Sequence, residues 1–260
     1  MKEDPQFVTA LSRGIQILRC FTPDRMELGT TEIATLTGLP QSTVWRLCHT
    51  LGELGCLVPG RNPEKLRVGL GTLTLGQSCL THSGIAEAAF PAMKEIAERS
   101  GGAVSLAERD NLHMVIVQRA EAATILRLHL HVGSVLAIEN SALGWAYLGG
   151  IQDDERESIL AMLCANRPDA LPLRTRIAAI VEAYQRDGFV LNEKTYHKEI
   201  NAIGVPVIAG NGRRVMALNC GGASSMLTTK HLTGQIARDL IALATKLANL
   251  PEMDNGTRST

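Results

Sequence analysis

The sequence predicts an α+β protein in which a winged helix-turn-helix is followed by an antiparallel sheet with helices on its faces. Two observations support the first part: residues 28–58 form two short amphipathic patterns joined at Gly38-Leu39-Pro40, and a strand pattern follows them at once. Further strand and helix patterns fill the rest of the chain. With 260 residues and 45% hydrophobic content, the chain is long enough for two domains with separate cores.

Three short helices are predicted before the first strand. In the second of them Thr30 is the expected N-cap, and Glu32 falls in the first turn, where a carboxylate suits the helix dipole. Gly38 ends this helix, because a left-handed residue costs little there, and Pro40 suits the first turn of the next. The predicted buried residues are Val8, Leu11, Ile15 and Leu18 in the first helix, and Ile33, Ala34 and Leu36 in the second.

The third helix has one apolar and one polar face. Intervals of three and four place its apolar residues on one stripe, namely Val44, Leu47, Leu51 and Leu54. The opposite face carries hydrogen-bonding side chains, as expected of a helix that reads base edges in a major groove. The predicted DNA-contacting residues of this helix are Gln41, Ser42, Thr43, Trp45, Arg46 and His49.

A hairpin follows this helix. Leu57-Val58 and Leu66-Arg67-Val68 flank a turn cluster rich in Pro and Gly, which is typical of two short strands and their loop. We interpret it as the wing, whose cations would reach backbone phosphates or the adjacent minor groove. These cations are Arg61, Lys65 and Arg67.

Charge adds modest support for DNA binding. The first seventy residues contain eight Lys or Arg and seven Asp or Glu, a net charge of +1, but between Gln41 and Arg67 four cations oppose two acids. The alternative is a winged-helix module that contacts proteins, or a helical hairpin without function. We favour DNA binding because the polar helix face and the basic hairpin occur together.

Composition limits the other function classes. The formal net charge is zero, no apolar run is long enough to span a membrane, and the first residues lack the apolar core of a signal peptide, so we expect a soluble, cytoplasmic protein. The six cysteines form no CxxC pair and are expected to be reduced core residues. His129 and His131 share one face of a predicted strand, but no third metal ligand accompanies them, so no metal or cofactor is expected.

After the wing, the segment up to Gly84 predicts a short connecting helix. The remaining patterns describe an α+β domain with room for a pocket, and Asn211-Gly212 is a strong turn signal between its last two strands. Helices are predicted at 85–100, 141–149, 153–164, 173–187 and 229–249, and strands at 103–109, 113–119, 126–132, 189–192, 200–209 and 213–220. The last ten residues are expected to be disordered.

Several of these segments together resemble one family. FVTALSRGIQILRCF, TTEIATLTGLPQSTVWRLCHTLGELGCLV and LGTLTLGQSCL are similar to the N-terminal half of an IclR-family bacterial transcriptional regulator, and ENSALGWAYL and NAIGVPVIAGNGRRVMALNCGG are similar to its C-terminal half. The resemblance implies a DNA-binding domain (1–70), a linker helix that pairs in a dimer (71–84), and a GAF-like effector and oligomerisation domain (85–250). It also implies a dimer or dimer of dimers on a pseudopalindromic operator, since a two-fold protein reads inverted half-sites.

The same resemblance places an effector pocket between the sheet and the helix after Ser141. The family's pocket positions fall here on Ala142, Leu143, Asn192, Ala202, Asn219 and Gly221. The free amides of a helix N-terminus would suit a carboxylate. Family members that sense small keto acids typically have Asp, Cys and two Ser at the last four positions, and the family usually has Lys where this chain has Trp145. The differences indicate a larger, less hydroxylated ligand, such as an aromatic acid, that controls a catabolic operon.

An enzyme fused to a DNA-binding module is the alternative function. Against it, the sequence contains no GxSxG, HExxH or P-loop motif. Residues such as Ser105, Ser224, Ser225 and Cys220 would be nucleophiles only in the sense that any serine or cysteine is. The sequence therefore predicts a regulator with no catalytic residues, whose partners are duplex DNA, a small carboxylate and further copies of itself.

Overall fold

The computed structural model divides the chain into two compact units, residues 1–82 and 83–260. It describes residues 6–81, 84–123, 130–210 and 214–250, with the backbone alone at 78–81. The predicted disordered tail and the Asn211-Gly212 turn lie outside the described residues. Within the described residues no helix is both long and apolar enough to cross a membrane.

The first unit is a three-helix cluster followed by a two-stranded hairpin and a further helix. The strands pair antiparallel from Leu57↔Val68 to Pro59↔Leu66. Its elements are α1 (Thr9–Leu18), α2 (Thr30–Thr37), α3 (Gln41–Glu53), β1 (Leu57–Pro59), β2 (Leu66–Val68) and α4 (Leu70–Thr81). The predicted winged helix-turn-helix is thus confirmed, and α4 is the connecting helix.

The core of this unit selects a different face of α1 from the one that the sequence predicted. Gly14 and Ile17 are buried, whereas Val8, Leu11 and Ile15 are 62%, 66% and 44% exposed. The prediction was wrong because α1 carries two apolar stripes, and periodicity alone does not tell which one meets the neighbouring helices. The buried residues of this core are Ile17, Cys20, Leu28, Ile33, Val44, Cys48 and Leu57.

Three smaller predictions about α2 and α3 also need correction. Gly29, not Thr30, is the N-cap of α2, because the Glu32 carboxylate accepts a hydrogen bond from the Gly29 amide at 2.7 Å. Leu36 lies at the edge of the buried face and is 46% exposed. Leu54 is 67% exposed, since it is the C-cap residue of α3 and the chain turns away at Gly55.

The junction between α2 and α3 follows the sequence closely. Gly38 has φ 68°, the left-handed conformation predicted for it, and its amide bonds the Ala34 carbonyl. Pro40 is the N-cap of α3 and not a first-turn residue, so α3 begins one residue later than the proline. The bend therefore depends on a glycine that tolerates positive φ and a proline that cannot extend the preceding helix.

The second unit is a six-stranded antiparallel sheet with helices on both faces, in the strand order β5-β4-β3-β8-β7-β6. Its strands are β3 (Ala103–Asp110), β4 (His113–Glu121), β5 (Val135–Ala137), β6 (Val190–Glu193), β7 (Ile200–Ala209) and β8 (Arg214–Ala223). Its helices are α5 (Gly84–Ser100), α6 (Ala142–Gly150), α7 (Asp153–Cys164), α8 (Ala170–Asp187), α9 (Thr229–His231) and α10 (Ala237–Ala248), with a π-helical turn at Leu232–Ile236 before α10.

Each face of the sheet has its own apolar core. One core joins α5 and α10 to Leu106, Val205 and Leu218, and the other joins α6, α7 and α8 to Ile116 and Ala217. The predicted stripe of α5 is confirmed, and the residues that form it are Ala89, Met93, Ile96 and Ala97.

The strand predicted at 126–132 is not found where the structure can be described. Residues 124–129, with His129, lie outside the described residues, and residues 130–134 form no strand. Gly133, with φ 90°, lies in a turn that is bonded to Ile116 of β4 through the Gly133 amide and the Ser134 carbonyl. This turn moves the edge strand on to Val135–Ala137, because a positive φ interrupts the extended backbone.

Helix α6 lies directly on the backbone of the sheet. A Cβ atom at Gly204 of β7 would come within 2.4 Å of the Ala142 carbonyl oxygen, and one at Gly144 within 2.0 Å of the Ile138 carbonyl oxygen. Neither obstacle is a flexible side chain. Residues 142–148 of α6 are accordingly all buried.

We expect Gly144→Ala to destabilise the second unit by about 2 to 3 kcal/mol, because the added methyl group meets backbone atoms and α6 must shift. The measurement is urea denaturation followed by Trp145 fluorescence in a Trp45→Phe background, since the chain has two tryptophans. The matched control is Gly149→Ala on the same helix, whose methyl group meets the Tyr184 side chain at 2.9 Å. Because that ring can move, the control variant should lose less free energy of unfolding. Equal losses in the two variants would contradict the close contact between α6 and the Ile138 backbone.

Candidate nucleic-acid interface and ligand cavity

The outer face of α3 is open to solvent. Val44 and Cys48 are 0% and 4% exposed on the inner side, whereas Trp45 is 60% exposed on the outer side. Of the six residues predicted on this helix, Thr43 is half-buried and the others are exposed. A buried inner side fixes the helix while its polar side remains available to a groove of DNA.

Contacts on this face order some of its side chains. The rings of Trp45 and His49 meet edge to face with centroids 5.7 Å apart, and the Gln41 carboxamide donates to the Thr31 hydroxyl at 3.0 Å. The Arg46 guanidinium has no hydrogen bond or ion pair with any described residue. Arg46 is therefore the cation on α3 whose donors are all available.

Helix α1 contributes to the same surface, which the sequence did not indicate. Ala10 and Arg13 border a shallow groove with Thr43, Trp45, Arg46, Leu47, His49 and Thr50. Arg13 is exposed. The sequence pattern predicted the wrong buried face of α1. It therefore did not show that Arg13 lies beside the outer face of α3.

The wing is held by two carboxylates. Glu27 accepts a hydrogen bond from the Arg61 amide at 2.9 Å, and Glu32 forms an ion pair with Lys65 at 3.1 Å. The Arg61 amide, and then the charges of Arg61 and Arg67, lower the pKa of Glu27, while the Gly29 amide and then Lys65 lower that of Glu32. Of the three predicted wing cations, Arg61 and Arg67 are exposed and Lys65 is partly neutralised.

In the second unit, one row of paired residues crosses the sheet beneath α6. Asn192 pairs with Ala202, Ala202 with Gly221, and Gly221 with Ala103. Three of the predicted pocket residues, far apart in sequence, are thus adjacent in space. Asn219 lies two residues along β8 from Gly221, on the same face, and pairs with Ser105.

A small cavity lies over these rows. Four of the six predicted pocket residues line it, namely Ala142, Ala202, Asn219 and Gly221. Its free volume is about 30 Å³, enough for one water molecule. Its apolar wall includes Leu130, Leu136 and Ile200, and Tyr196, which is 40% exposed, stands at its rim.

The other two predicted residues lie outside the cavity lining. Leu143 is fully buried in the apolar core beneath α6. The Asn192 amide nitrogen donates to the Asn140 carbonyl at 2.9 Å, and its oxygen accepts from the Thr195 and Tyr196 amides at 3.2 Å. Asn192 therefore ties the segment after β6 to the residue before Ser141.

The N-terminus of α6 has the donors that the sequence predicted. The Ser141 hydroxyl caps the helix by accepting from the Gly144 amide at 3.0 Å. The amides of Ala142 and Leu143 have no acceptor among the described residues. Trp145 points elsewhere, because its indole nitrogen donates to the Glu139 carbonyl at 2.8 Å.

Arg119 of β4 also lines the cavity, and the sequence analysis did not select it. Its side chain is 7% exposed. Its Nε lies 2.8 Å from a Glu121 carboxylate oxygen, and its Nη1 donates to the Ser105 hydroxyl at 2.7 Å. Its Nη2 is buried and has no hydrogen-bond partner among the residues that the structure describes.

Groups that could support catalysis are not assembled. Burial raises the pKa of the Cys220 thiol to about 11, so it stays protonated near neutral pH. The Ser105 hydroxyl contacts Arg119, which is not a base. Among the described residues no cluster of His, Cys, Asp and Glu could hold a metal ion.

Two family models match the chain. The model described as the IclR helix-turn-helix domain matches residues 10–59, and the one described as the C-terminal part of bacterial transcriptional regulator IclR matches residues 77–249. The HTH-type transcriptional regulator TsaQ1/TsaQ2 of Comamonas testosteroni is 27% identical over 223 residues, which cover 85% of this chain and 80% of the relative.

Solved structures agree with this result. An IclR family transcriptional regulator from Brucella abortus is 35% identical, with a TM-score of 0.80 over 95% of this chain and 94% of that one. An IclR homologue from Microbacterium hydrocarbonoxydans, complexed with 4-hydroxybenzoate, is 20% identical, with a TM-score of 0.73 over 92% and 99% of the two chains.

The Glu27 contact predicts a pH dependence of the wing. Because the pKa of Glu27 is lowered in the folded chain from its ordinary 4.5, its carboxylate stabilises the wing above about pH 4.5 and loses this effect as the pH falls through the lowered pKa. In an NMR titration the Arg61 amide shift should therefore change with a midpoint below pH 4.5. The transition should vanish in Glu27→Gln and persist in Glu64→Gln, and its persistence in Glu27→Gln would contradict the contact.

The Asn192 contacts predict a structural cost. Asn192→Ala should lower the free energy of unfolding of the second unit by about 2 kcal/mol, because it removes three hydrogen bonds at a buried position. Asn219→Ala removes one, from the Ser105 amide, and should cost less. Urea denaturation measures both, and an unchanged stability of Asn192→Ala would show that these bonds contribute nothing.

Proposed function

Because the chain belongs to the IclR family of bacterial transcriptional regulators, we propose that it binds a pseudopalindromic operator as a dimer or a dimer of dimers. We further propose that a small organic acid, bound in the second unit, changes the affinity for that operator. The family and the relatives are regulators and not enzymes. The observation that carries the proposal is the exposed polar face of α3, fixed by a buried opposite side.

The proposed base-reading surface is centred on Arg46. An arginine with free donors can form two hydrogen bonds with a guanine edge. Ser42 and His49 lie one turn before and one turn after it on the exposed side, and Arg13 extends the surface toward the backbone. We assign Gln41, Thr43 and Trp45 to supporting contacts, since Gln41 is already bonded to Thr31.

The wing supplies the proposed phosphate contacts. Arg61 and Arg67 are exposed and can neutralise phosphates without breaking an ion pair. Lys65 would have to share its charge with Glu32. The two arginines should therefore provide most of the binding free energy that comes from phosphate contacts. This part of the affinity should decrease as the salt concentration rises, because phosphate contacts release counterions from DNA.

Exposed apolar side chains in two regions of the first unit support a paired assembly. Phe7, Val8, Leu11 and Ile15 of the α1 region are exposed, and so are Leu70, Leu73 and Leu75 of α4. Exposed apolar stripes on helices are typical of surfaces that pack against another chain. We propose that they meet their copies in a second protomer, which would give the two-fold symmetry that inverted half-sites require.

The cavity over the sheet is the proposed effector site. Its free volume of about 30 Å³ is far below the ~300 Å³ of common ligand sites. An aromatic acid, such as the 4-hydroxybenzoate bound by one homologue, would enter only if the rim at Leu130 and Tyr196 moved outward. Such a movement is a difference between two arrangements of the protein, and a ligand that favours one of them can shift operator affinity by ~1 to 3 kcal/mol.

The proposed place of action is the bacterial cytoplasm, where the chromosome is accessible. A regulator that responds to an organic acid is expected to control an operon for the breakdown of that acid. The acid would then report directly on the need for its own degradation.

We expect Arg46→Ala to weaken binding to its specific operator by ~1 to 3 kcal/mol, because one bidentate base contact is lost. The measurement is a gel shift with the DNA upstream of the chain's own gene and with random duplex DNA as competitor. The control is Arg238→Ala, which removes the same charge from an exposed position on α10. Equal affinity of all three proteins would remove Arg46 from base recognition, and binding of random duplex as tightly as the upstream DNA would contradict the proposal as a whole.

A further inference from the structure

We propose that Arg119 is the anion-recognition residue of the cavity, and that the ligand is a carboxylate whose charged group binds the unpartnered Nη2 of this guanidinium. This inference rests on the proposed effector site, but it identifies the side chain that selects the ligand and the ligand's charge. Arg119 is not among the pocket positions that the family resemblance implies.

The position of Arg119 results from an irregularity in β4. The register pairs Ala107 with Ile116 but Leu106 with Gln118, which leaves Val117 as an extra residue. Before this bulge, Ile116 faces the core beneath α6. After it, Gln118 bonds the Ala86 carbonyl of α5 on the opposite face, and Arg119 lies on the cavity side.

Neighbouring groups hold the guanidinium and leave one nitrogen free. Glu121 accepts from Nε at 2.8 Å and Ser105 accepts from Nη1 at 2.7 Å. Both contacts leave Nη2 without a partner, although it is buried. A buried donor of a charged group without an acceptor is rare in proteins, and such an atom beside a cavity marks a position where a water molecule or the acceptor group of a ligand can bind.

The rest of the lining determines what kind of acceptor fits. Apart from Arg119 the cavity is bounded by small residues (Ala103, Ser141, Ala142, Ala202 and Gly221), the Asn219 carboxamide, the apolar side chains of Leu130, Leu136 and Ile200, and Tyr196 at the rim. One cation beside an apolar wall suits a molecule with a single charged end and an apolar body. A polyanion such as a phosphate ester would leave charge unpaired against that wall.

The Glu121 carboxylate sets the strength of this interaction. It shares the positive charge of Arg119 and, because it is 33% exposed, solvent screens its repulsion of a second carboxylate. Arg119 thus stays folded into the cavity without a ligand. Removal of the Glu121 charge should strengthen ligand binding, an outcome that loss of a merely structural ion pair would not produce.

The test uses the full chain and matched pairs of probes. Acetate, pyruvate, benzoate and 4-hydroxybenzoate are each compared with the corresponding primary amide at constant ionic strength in chloride. Binding is followed by isothermal titration calorimetry and by the ¹⁵Nε resonance of Arg119, assigned from its loss in Arg119→Met. At least one acid should bind at least tenfold more tightly than its amide and shift this resonance saturably.

The variants separate recognition from stability. Arg119→Met should weaken binding of that acid at least tenfold, and Glu121→Gln should strengthen it about threefold. Arg99→Met removes a comparable charge from α5, on the other face of the sheet, and should bind like the unaltered chain. If Arg119→Met fails to fold, the Arg119 resonance is assigned from its loss in Arg119→Lys, and the Glu121→Gln result and the resonance shift then decide the matter.

Three results would overturn the proposal: no probe shifts the Arg119 resonance, acid and amide bind equally, or Glu121→Gln binds the acid no more tightly than the unaltered chain. A gel shift on the same preparations tests the proposed function separately. Carboxylate binding that has no effect on operator affinity would contradict the regulatory role of the cavity and leave the assignment of Arg119 intact. Operator binding without carboxylate binding would contradict the assignment of Arg119 and leave the proposed DNA binding intact.

Discussion

The close contact between α6 and strand β7 governs the architecture of the second unit. Only a hydrogen atom fits between Gly204 and the Ala142 carbonyl, and the same holds between Gly144 and the Ile138 carbonyl. This contact fixes the N-terminus of α6 over the middle of the sheet. The cavity exists because the residues beneath that end of α6, Ala202 and Gly221, are too small to fill the space. Close packing and the cavity proposed as the effector site therefore have the same cause.

In the first unit, α3 is held in place by its buried side while its other face is exposed to solvent. Val44 and Cys48 anchor α3 in the core, and the Leu28 backbone pairs with Leu66 at the base of the wing. The wing is held further by Glu27 and Glu32. These carboxylates reduce the positive charge of the unit, which explains a DNA-binding module that is nearly neutral. In the proposed function, affinity for phosphates depends on where Arg61 and Arg67 lie and not on net charge.

The two units differ in whether their polar side chains are exposed or buried. On α3 the polar groups are exposed and mostly free, so they can exchange water for DNA at little cost. In the second unit the polar groups near the sheet are buried and satisfied, as Asn192 and Ser141 show. Arg119 differs from them, since one of its side-chain donors is buried and has no partner among the described residues. Exceptions of this kind are more informative about ligands than the satisfied groups around them.

The family resemblance predicted four of the residues around the cavity. The sequence by itself determined the order of the elements, the Gly38 bend, the polar face of α3 and the bounds of α7 and β7. These features are local, because helix and strand periods and turn residues act over a few positions. The tertiary structure decided which stripe of α1 is buried, that Leu54 is exposed, that the edge strand begins at Val135, and that Asn192 is engaged by backbone groups. It also decided that Arg119 faces the cavity. One extra residue in β4 reverses the faces of all residues after it, and a bulge arises from pairing with another strand, which no local pattern records.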